Sequence, residues 1–328
     1  MVISFSAFLL LNLTFLDRQY RSIPDMPKVT VVKGDNLKKV ASKLESAGII
    51  VNKYLFIAAG KVLGCEDKLI PGEYSFGNGL TYPDMLYLLT DPASDRGYNI
   101  TIPEGLTIKQ IARILSRQAG IDSAAFVRET ANDSLLSLLG VKADNLEGFL
   151  FPDTYRFNLN PSINREREIV RIMFNQFRRK IGRGLLDSLK QQKRDLKNLI
   201  TIASIVEAET RYLPEMKTIA GVYYNRLKKR MRLEADPTVQ YSLPDGPKRR
   251  LTYTDLKYPS PYNTYLNSGL PPGPINNPGM AAIYAAVHPE QHNYLYFVAK
   301  GDGTHIFART FDEHKKNVEQ YRKFLEGK

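Results

Sequence analysis

The sequence is poor in the residues that most often staple a fold or hold a metal. One cysteine, Cys65, and four histidines stand among 328 residues. A lone cysteine excludes an intrachain disulfide, so packing must hold the core. Cys65, in the apolar-flanked stretch 62–65, reads as a small buried hydrophobe. His288 and His292 are four apart, but Pro289 lies between them and no glutamate stands in the zincin position, so no metal site is expected. The Walker loop, the dinucleotide fingerprint, the G-x-S-x-G elbow and paired cysteines are all missing, which sets aside the mechanisms those signatures serve. No cofactor is expected.

A concentrated basic stripe is missing too. The formal charge is +12, yet the basic residues are dispersed, with short runs at 228–230 and 248–250. A dedicated nucleic-acid module would gather them, so nucleic acid is not an expected partner. Anionic lipid or the acidic polymers of a cell wall fit the charge equally well.

What is present is an ordinary folding composition, 43% apolar and 24% charged, on a chain long enough for two or three units. Residues 2–16 are an exception, an uncharged apolar run followed by Asp17, Arg18 and Arg21. The run reads as a single-pass membrane anchor within residues 1–20. It falls short of the about 20 apolar residues a span needs and has no basic flank before it, and an upstream start would account for both. The basic residues that follow leave its orientation open, and a buried N-terminal helix is the other reading. Pro24 and Pro27 then mark a linker, and the folded part should begin near Lys28.

From there β-branched residues at 28–32 suggest a strand, Gly34 and Asp35 a turn, and Leu37, Val40, Ala41 and Leu44 a helix. The pattern returns 71 positions later. Val29, Thr30, Val31, Gly34, Leu37, Lys38, Val40, Ala41 and Leu44 match Ile100, Thr101, Ile102, Gly105, Ile108, Lys109, Ile111, Ala112 and Leu115, a duplicated strand-turn-helix unit. The first copy resembles the LysM-like modules that bind N-acetylglucosamine-containing glycans, so 28–95 is expected to be a LysM-like subdomain. A generic strand-turn-helix also accounts for the pattern.

Helices are expected across 165–212, with Ile169, Ile172, Met173 and Phe177 on one face and then Leu199, Ile202, Ala203 and Val206 as a core stripe. Between 237 and 278 stand nine of the nineteen prolines and five tyrosines, which predicts a long, rigid, ordered loop. Residues 294–300 and 304–309 flank Gly301, Asp302 and Gly303, a hairpin signal, and Thr310 with Glu313 forms a capping box for a terminal helix.

The strongest candidate for chemistry is the helix at 203–212, where Glu207 and Glu209 sit beside that apolar stripe. At 3.6 residues per turn the two lie roughly 80° to either side of it, so they cannot act as one dyad. Burial there would raise either carboxyl pKa. Ala203 and Ser204, one turn before Glu207, leave room for a ligand, whereas Ile205 and Val206 crowd Glu209. Geometry alone leaves both open.

The sequence carries ASIVEAET at 203–210, YNRL at 224–227, MRLEADPTVQY at 231–241, PYNTY at 261–265 and GLPPGPI at 269–275. EGFLFPDTY at 147–155 precedes these, and NPG at 277–279, HP at 288–289 and YLYFV at 294–298 follow. In this ordered series the chain resembles the endolytic murein transglycosylases, the MltG or YceG-like family, over nearly its whole length. The resemblance implies an α+β protein with an N-terminal membrane helix, a LysM-like subdomain and a catalytic domain over 96–328 outside the cytoplasm. The missing basic flank before the apolar run departs from that pattern.

The resemblance also implies a lytic transglycosylase that cuts nascent peptidoglycan between N-acetylmuramic acid and N-acetylglucosamine, leaves 1,6-anhydro ends and so terminates strand elongation. Its essential acid falls on Glu207. Glu147, Asp236, Thr238, Tyr241, Tyr262, Asn263, Thr264 and Tyr265 are the candidates for substrate binding, the tyrosines offering flat faces and the others hydrogen bonds. Asp153 is a weaker candidate. The implied partners are glycan strands, membrane lipid through the anchor, and peptidoglycan synthases such as penicillin-binding proteins. Two other readings stay open: a non-catalytic wall-binding or division scaffold, and a water-using muramidase with Glu147 or Asp236 as the second carboxylate.

Overall fold

A computed structural model of the chain describes residues 28–76, 80–90, 98–138, 143–157, 164–191, 194–244, 246–248 and 250–326. The expected anchor and linker lie outside the described residues. The chain divides into two compact units, Met1–Asn99 with Arg156–Arg165, and Ile100–Tyr155 with Glu166–Lys328.

The smaller unit runs β1 (Lys28–Val31), α1 (Leu37–Ser46), α2 (Lys53–Val62), β2 (Gly72–Ser75) and α3 (Tyr82–Thr90). β1 pairs antiparallel with β2, Lys28 opposite Ser75 and Val31 opposite Gly72. Alternation along β1 turns Val29 and Val31 inward. Asn36 caps α1 by accepting from the Lys39 N–H, and Asn52 caps α2 by accepting from the N–H groups of Tyr54 and Leu55. The expected stripe of Leu37, Val40, Ala41 and Leu44 is buried. α1 and α2 meet closely because Gly60 has no side chain: a Cβ there would lie 2.5 Å from Leu37 Cδ2. Cys65 is buried, as its neighbours suggest.

The chain continues through β3 (Tyr98–Thr101), α4 (Ile108–Ala119), α5 (Ser123–Glu129), α6 (Asp133–Ser137), β4 (Thr154–Phe157) and α7 (Arg165–Gln191), which is broken at Gly182. α8 (Leu196–Glu209), α9 (Met216–Lys228), α10 (Asp236–Ser242), α11 (Met280–Val287), β5 (Tyr296–Ala299), β6 (His305–Ala308) and α12 (Phe311–Glu326) complete it. β3 pairs with β4 and β5 with β6. The protein is thus mixed α+β, mostly helical with small two-stranded sheets. Among the described residues no helix is long and apolar enough to cross a membrane.

The second copy of the repeat folds as the first does. β3 leads through Gly105, at φ 75°, to α4, where Thr107 and Gln110 form a capping box. Ile108, Ile111, Ala112 and Leu115 are buried in register with their counterparts. Near the C-terminus β5 and β6 form the expected hairpin, Tyr296 opposite Ala308. Thr310 Oγ1 accepts from the Glu313 N–H at 3.2 Å while Glu313 Oε2 accepts from the Thr310 N–H at 3.3 Å, which closes the expected box.

Three expectations need correction. α8 is not a one-sided amphipathic helix, because every residue from Leu199 to Val206 is buried; α9, α10 and α11 all pack on it. On α7, Ile172 is half-buried while Val170 and Phe174 complete the inward face with Ile169, Met173 and Phe177. The stretch 237–278 is not loop throughout. Pro237 stands in the first turn of α10, where a missing N–H costs nothing, so this proline starts a helix.

Candidate active site

The C-terminal turn of α8 carries both candidate acids, and they face different neighbours. Glu207 is half-buried. Its Oε2 accepts at 3.0 Å from the backbone N–H of Gly279, the N-cap of α11. The turn before α4 borders it from another direction: a Cβ on Gly105 would lie 3.4 Å from Glu207 Cγ, and the positive φ there suits glycine. Glu104, the exposed residue before Gly105, lays its carboxylate against Gly279, where a Cβ would fall 1.8 Å from Glu104 Oε1. Burial pushes the Glu207 carboxyl above its ordinary pKa, the Gly279 N–H pulls it down, and the charge of Glu104 pushes it up again.

Asn277 ties this turn together. Its backbone N–H donates to Leu106 O and its carbonyl accepts from the Gly105 N–H, both at 2.9 Å. Its side-chain Nδ2 donates to Glu147 Oε1 at 2.9 Å, while its Oδ1 accepts from the N–H groups of Gly148 and Leu150. The space expected for a ligand one turn before Glu207 is filled. Ser204 Oγ accepts from the Ile275 N–H at 3.0 Å and Ser204 O accepts from Asn276 Nδ2 at 2.7 Å, so the small side chain admits the 275–277 loop.

Glu209 faces the other way. Its Oε1 accepts from Tyr223 OH at 2.5 Å, and burial, opposed by that hydrogen bond and aided by the charge of Asp236, pushes it up to about 7. Asp236 in turn accepts from Tyr265 OH at 2.6 Å. Glu147 lies in a second group. Buried, it accepts from the Ile108 N–H at the start of α4, from Asn277 and, at 3.4 Å, from Tyr241 OH. Burial outweighs these bonds and pushes it up to about 8. The rings of Tyr241 and Tyr262 lie 4.9 Å apart.

The structure therefore sorts the candidates from sequence. Tyr241 and Tyr262 gather at Glu147, and Asp236 and Tyr265 gather at Glu209. Thr238, Asn263 and Thr264 are buried and bond within the loop, Thr238 Oγ1 to Thr264 Oγ1 at 2.9 Å and Asn263 Nδ2 to the carbonyls of Leu256 and Tyr258. Asp153 accepts from Gln176 Nε2 at 2.6 Å. His292 bonds Thr218 O, and among the described residues no cluster of His, Cys, Asp and Glu could hold a metal ion. Glu104, Asn277 and Tyr223 were not singled out from sequence. The signal for Glu104 was available in the repeat, where the residue before the turn glycine is Lys33 in one copy and Glu104 in the other.

Residues 29–320 match the YceG-like family. The chain belongs to that family. It is 33% identical over 307 residues to the endolytic murein transglycosylase of Bacillus subtilis, covering 89% of this chain and 84% of the relative. It is 28% identical to the endolytic murein transglycosylase of Streptococcus pneumoniae over 89% of this chain but 58% of that protein. A 2.6 Å crystal structure of a yceG-like protein from Listeria monocytogenes is similar with a TM-score of 0.60 and 32% identity, over 90% of this chain and 99% of that one. At the level of the family, this YceG-like chain is thereby grouped with proteins named endolytic murein transglycosylases.

Proposed function

We propose that the chain cuts nascent peptidoglycan strands between N-acetylmuramic acid and N-acetylglucosamine, as a lytic transglycosylase that leaves 1,6-anhydro ends and terminates elongation. The observation that carries this is the setting of Glu207: a half-buried carboxyl, raised in pKa, beside glycine backbone at 105 and 279. A carboxyl raised above its ordinary value holds its proton to higher pH than a free one, which suits a proton donor. Protonated Glu207 gives its proton to the glycosidic oxygen, and the N-acetylglucosamine hydroxyl leaves. The Glu207 carboxylate then takes the proton of the muramyl C6 hydroxyl as that oxygen attacks C1. The acid is regenerated and no water is consumed.

Tyr241, Tyr262, Tyr265 and Asp236 keep accessible surface with which to meet sugar, and Thr238, Asn263, Thr264 and Glu147 hold that surface in place. The smaller unit has the strand-helix-helix-strand order of a LysM-like module with its strands antiparallel, which supports glycan binding as its contribution. Residues 1–20 anchor the protein in the cell membrane with the catalytic part outside the cytoplasm, where peptidoglycan synthases are its working partners.

A water-using muramidase would need a second carboxylate serving Glu207. Glu147 and Asp236, the two expected for that role, bond to Ile108, Asn277 and Tyr265 instead; Glu104 is the carboxylate that stands against Gly279 beside Glu207, so the products decide between the readings. The test is mass analysis of soluble products released from purified glycan strands by the chain from Lys28 onward. Anhydro ends, one water lighter than reducing ends, are expected. Reducing ends would establish the hydrolase, and no product from folded protein the scaffold.

A further inference from the structure

The geometry points to Glu104 as the positioning partner of Glu207: its exposed carboxylate, lodged where Gly279 has no side chain, holds a negative charge beside the carboxyl that works as the acid. This rests on Glu207 being that acid. Two features of Gly279 support it. Its φ is −76°, a conformation any residue adopts, so backbone freedom is not the reason for glycine here. What a side chain at 279 would meet is Glu104, at 1.8 Å from Oε1 and 2.1 Å from Cδ. The same residue donates its N–H to Glu207 Oε2. One glycine therefore seats both carboxylates, one on its N–H and one in the space of its missing side chain.

A negative charge beside a half-buried carboxyl disfavours its ionised form. Glu104 is exposed and Glu207 half-buried, and the charge of Glu104 pushes the Glu207 carboxyl up. Several charged and phenolic groups on the elements around α8 have partners of their own, while Arg211, four positions after Glu207, is exposed. Lys217 of α9 lies over the Tyr284 ring of α11 at 4.9 Å, Arg226 pairs with Glu234 at 3.0 Å, Asp236 with Tyr265, Tyr241 with Glu147, and Glu209 with Tyr223. α11, from Met280 to Val287, carries no acidic or basic side chain.

The test uses the full chain with purified glycan strands, comparing wild type with Glu104→Gln, Gly279→Ala and Glu207→Gln. Two quantities are read: the pH profile of anhydro-product release, and the titration midpoint of the Glu207 side chain by carbon NMR, assigned by its loss in Glu207→Gln. In Glu104→Gln the alkaline limb and the midpoint should both move to lower pH by about half a unit or more, the size expected of a partly solvated charge pair. Gly279→Ala swings the flexible Glu104 side chain away without altering φ and should move both in the same direction. Thermal midpoints near wild type, expected for an exposed residue, confirm folding. A Glu207 midpoint unmoved in Glu104→Gln while Glu207→Gln is inactive overturns the role of Glu104 and leaves the acid in place. Full activity of Glu207→Gln overturns the acid, and with it the positioning role.

Discussion

In the first copy of the strand-turn-helix, Lys33 precedes Gly34; in the second, Glu104 precedes Gly105. The local architecture is otherwise shared. Both glycines have positive φ, 94° and 75°, both helices start at a side-chain N-cap, Asn36 and Thr107, and both bury four apolar residues at matching positions. Their surroundings differ. A Cβ on Gly34 would meet nothing within 4 Å, whereas one on Gly105 would touch Glu207. At the first turn an acidic residue, Asp35, is neutralised by Lys39 at 2.8 Å and by Lys43. At the second, Glu104 stands against Gly279. The same turn can serve as a closed structural corner or as the wall of a site, and the flanking charges decide which.

The largest effect should separate the carboxyl that the second turn borders from its neighbour on α8. Glu207→Gln keeps the shape but cannot exchange a proton, so turnover should fall by at least about a hundredfold with folding intact. Glu209→Gln, which retains a partner for Tyr223, should keep most activity. The reverse result, read as anhydro product from folded variants, would reassign the acid to Glu209.

The comparison of the copies sharpens with alanine at each turn glycine. Both Gly34→Ala and Gly105→Ala place a side chain at positive φ and should cost about 1 kcal/mol in denaturant unfolding. Gly105→Ala should also cut turnover, by about tenfold, because its methyl would contact Glu207 Cγ at 3.4 Å and the strained turn would shift the wall beside that carboxyl. Equal activity in the two variants would break the contrast.

Beneath the second turn, Glu147 holds the start of α4, and its carboxyl is raised to about 8 by burial. A group whose pKa rises on folding stabilises fully below its unfolded value and loses that contribution as pH climbs through the folded one. The Tm should therefore fall between pH 5 and pH 9, and Glu147→Gln, which mimics the protonated acid, should flatten the slope. A wild-type Tm that holds constant across this range would contradict the burial argument.

The smallest effect concerns the first turn. Asp35 is held below the ordinary carboxylate range by hydrogen bonds from Lys39, Lys43 and the Val32 N–H. A lowered pKa acts in the opposite sense, with stability present above the unfolded value and lost as pH falls below it. Asp35→Asn should lower Tm slightly at neutral pH, weaken the acid-side loss and leave turnover unchanged. A fall in turnover at unchanged Tm would show that the first turn is not purely structural.

Much of the secondary structure was legible in the residues themselves, because local rules suffice for it. Leu37, Val40, Ala41 and Leu44, the turn around Gly301 to Gly303 and the box of Thr310 and Glu313 each specify their element from neighbours within a few positions. Where a rule was incomplete the reading slipped. Pro237 signalled a break but begins α10, and the small side chain of Ser204 suggested room for a ligand but admits the 275–277 loop. The divergence of Glu207 from Glu209 was likewise fixed by helical geometry. What could not be read was which face holds what. Glu104, Glu207 and Gly279 come from three separate segments, and their relation exists once the loop at 275–279 is packed on α8. Sequence determined the elements and the side chains each one carries, since these follow from backbone periodicity. Only tertiary packing decided that a buried helix end, a glycine turn and an exposed glutamate share one backbone N–H and one missing side chain, because burial and the charge of a neighbour are properties of the assembled structure.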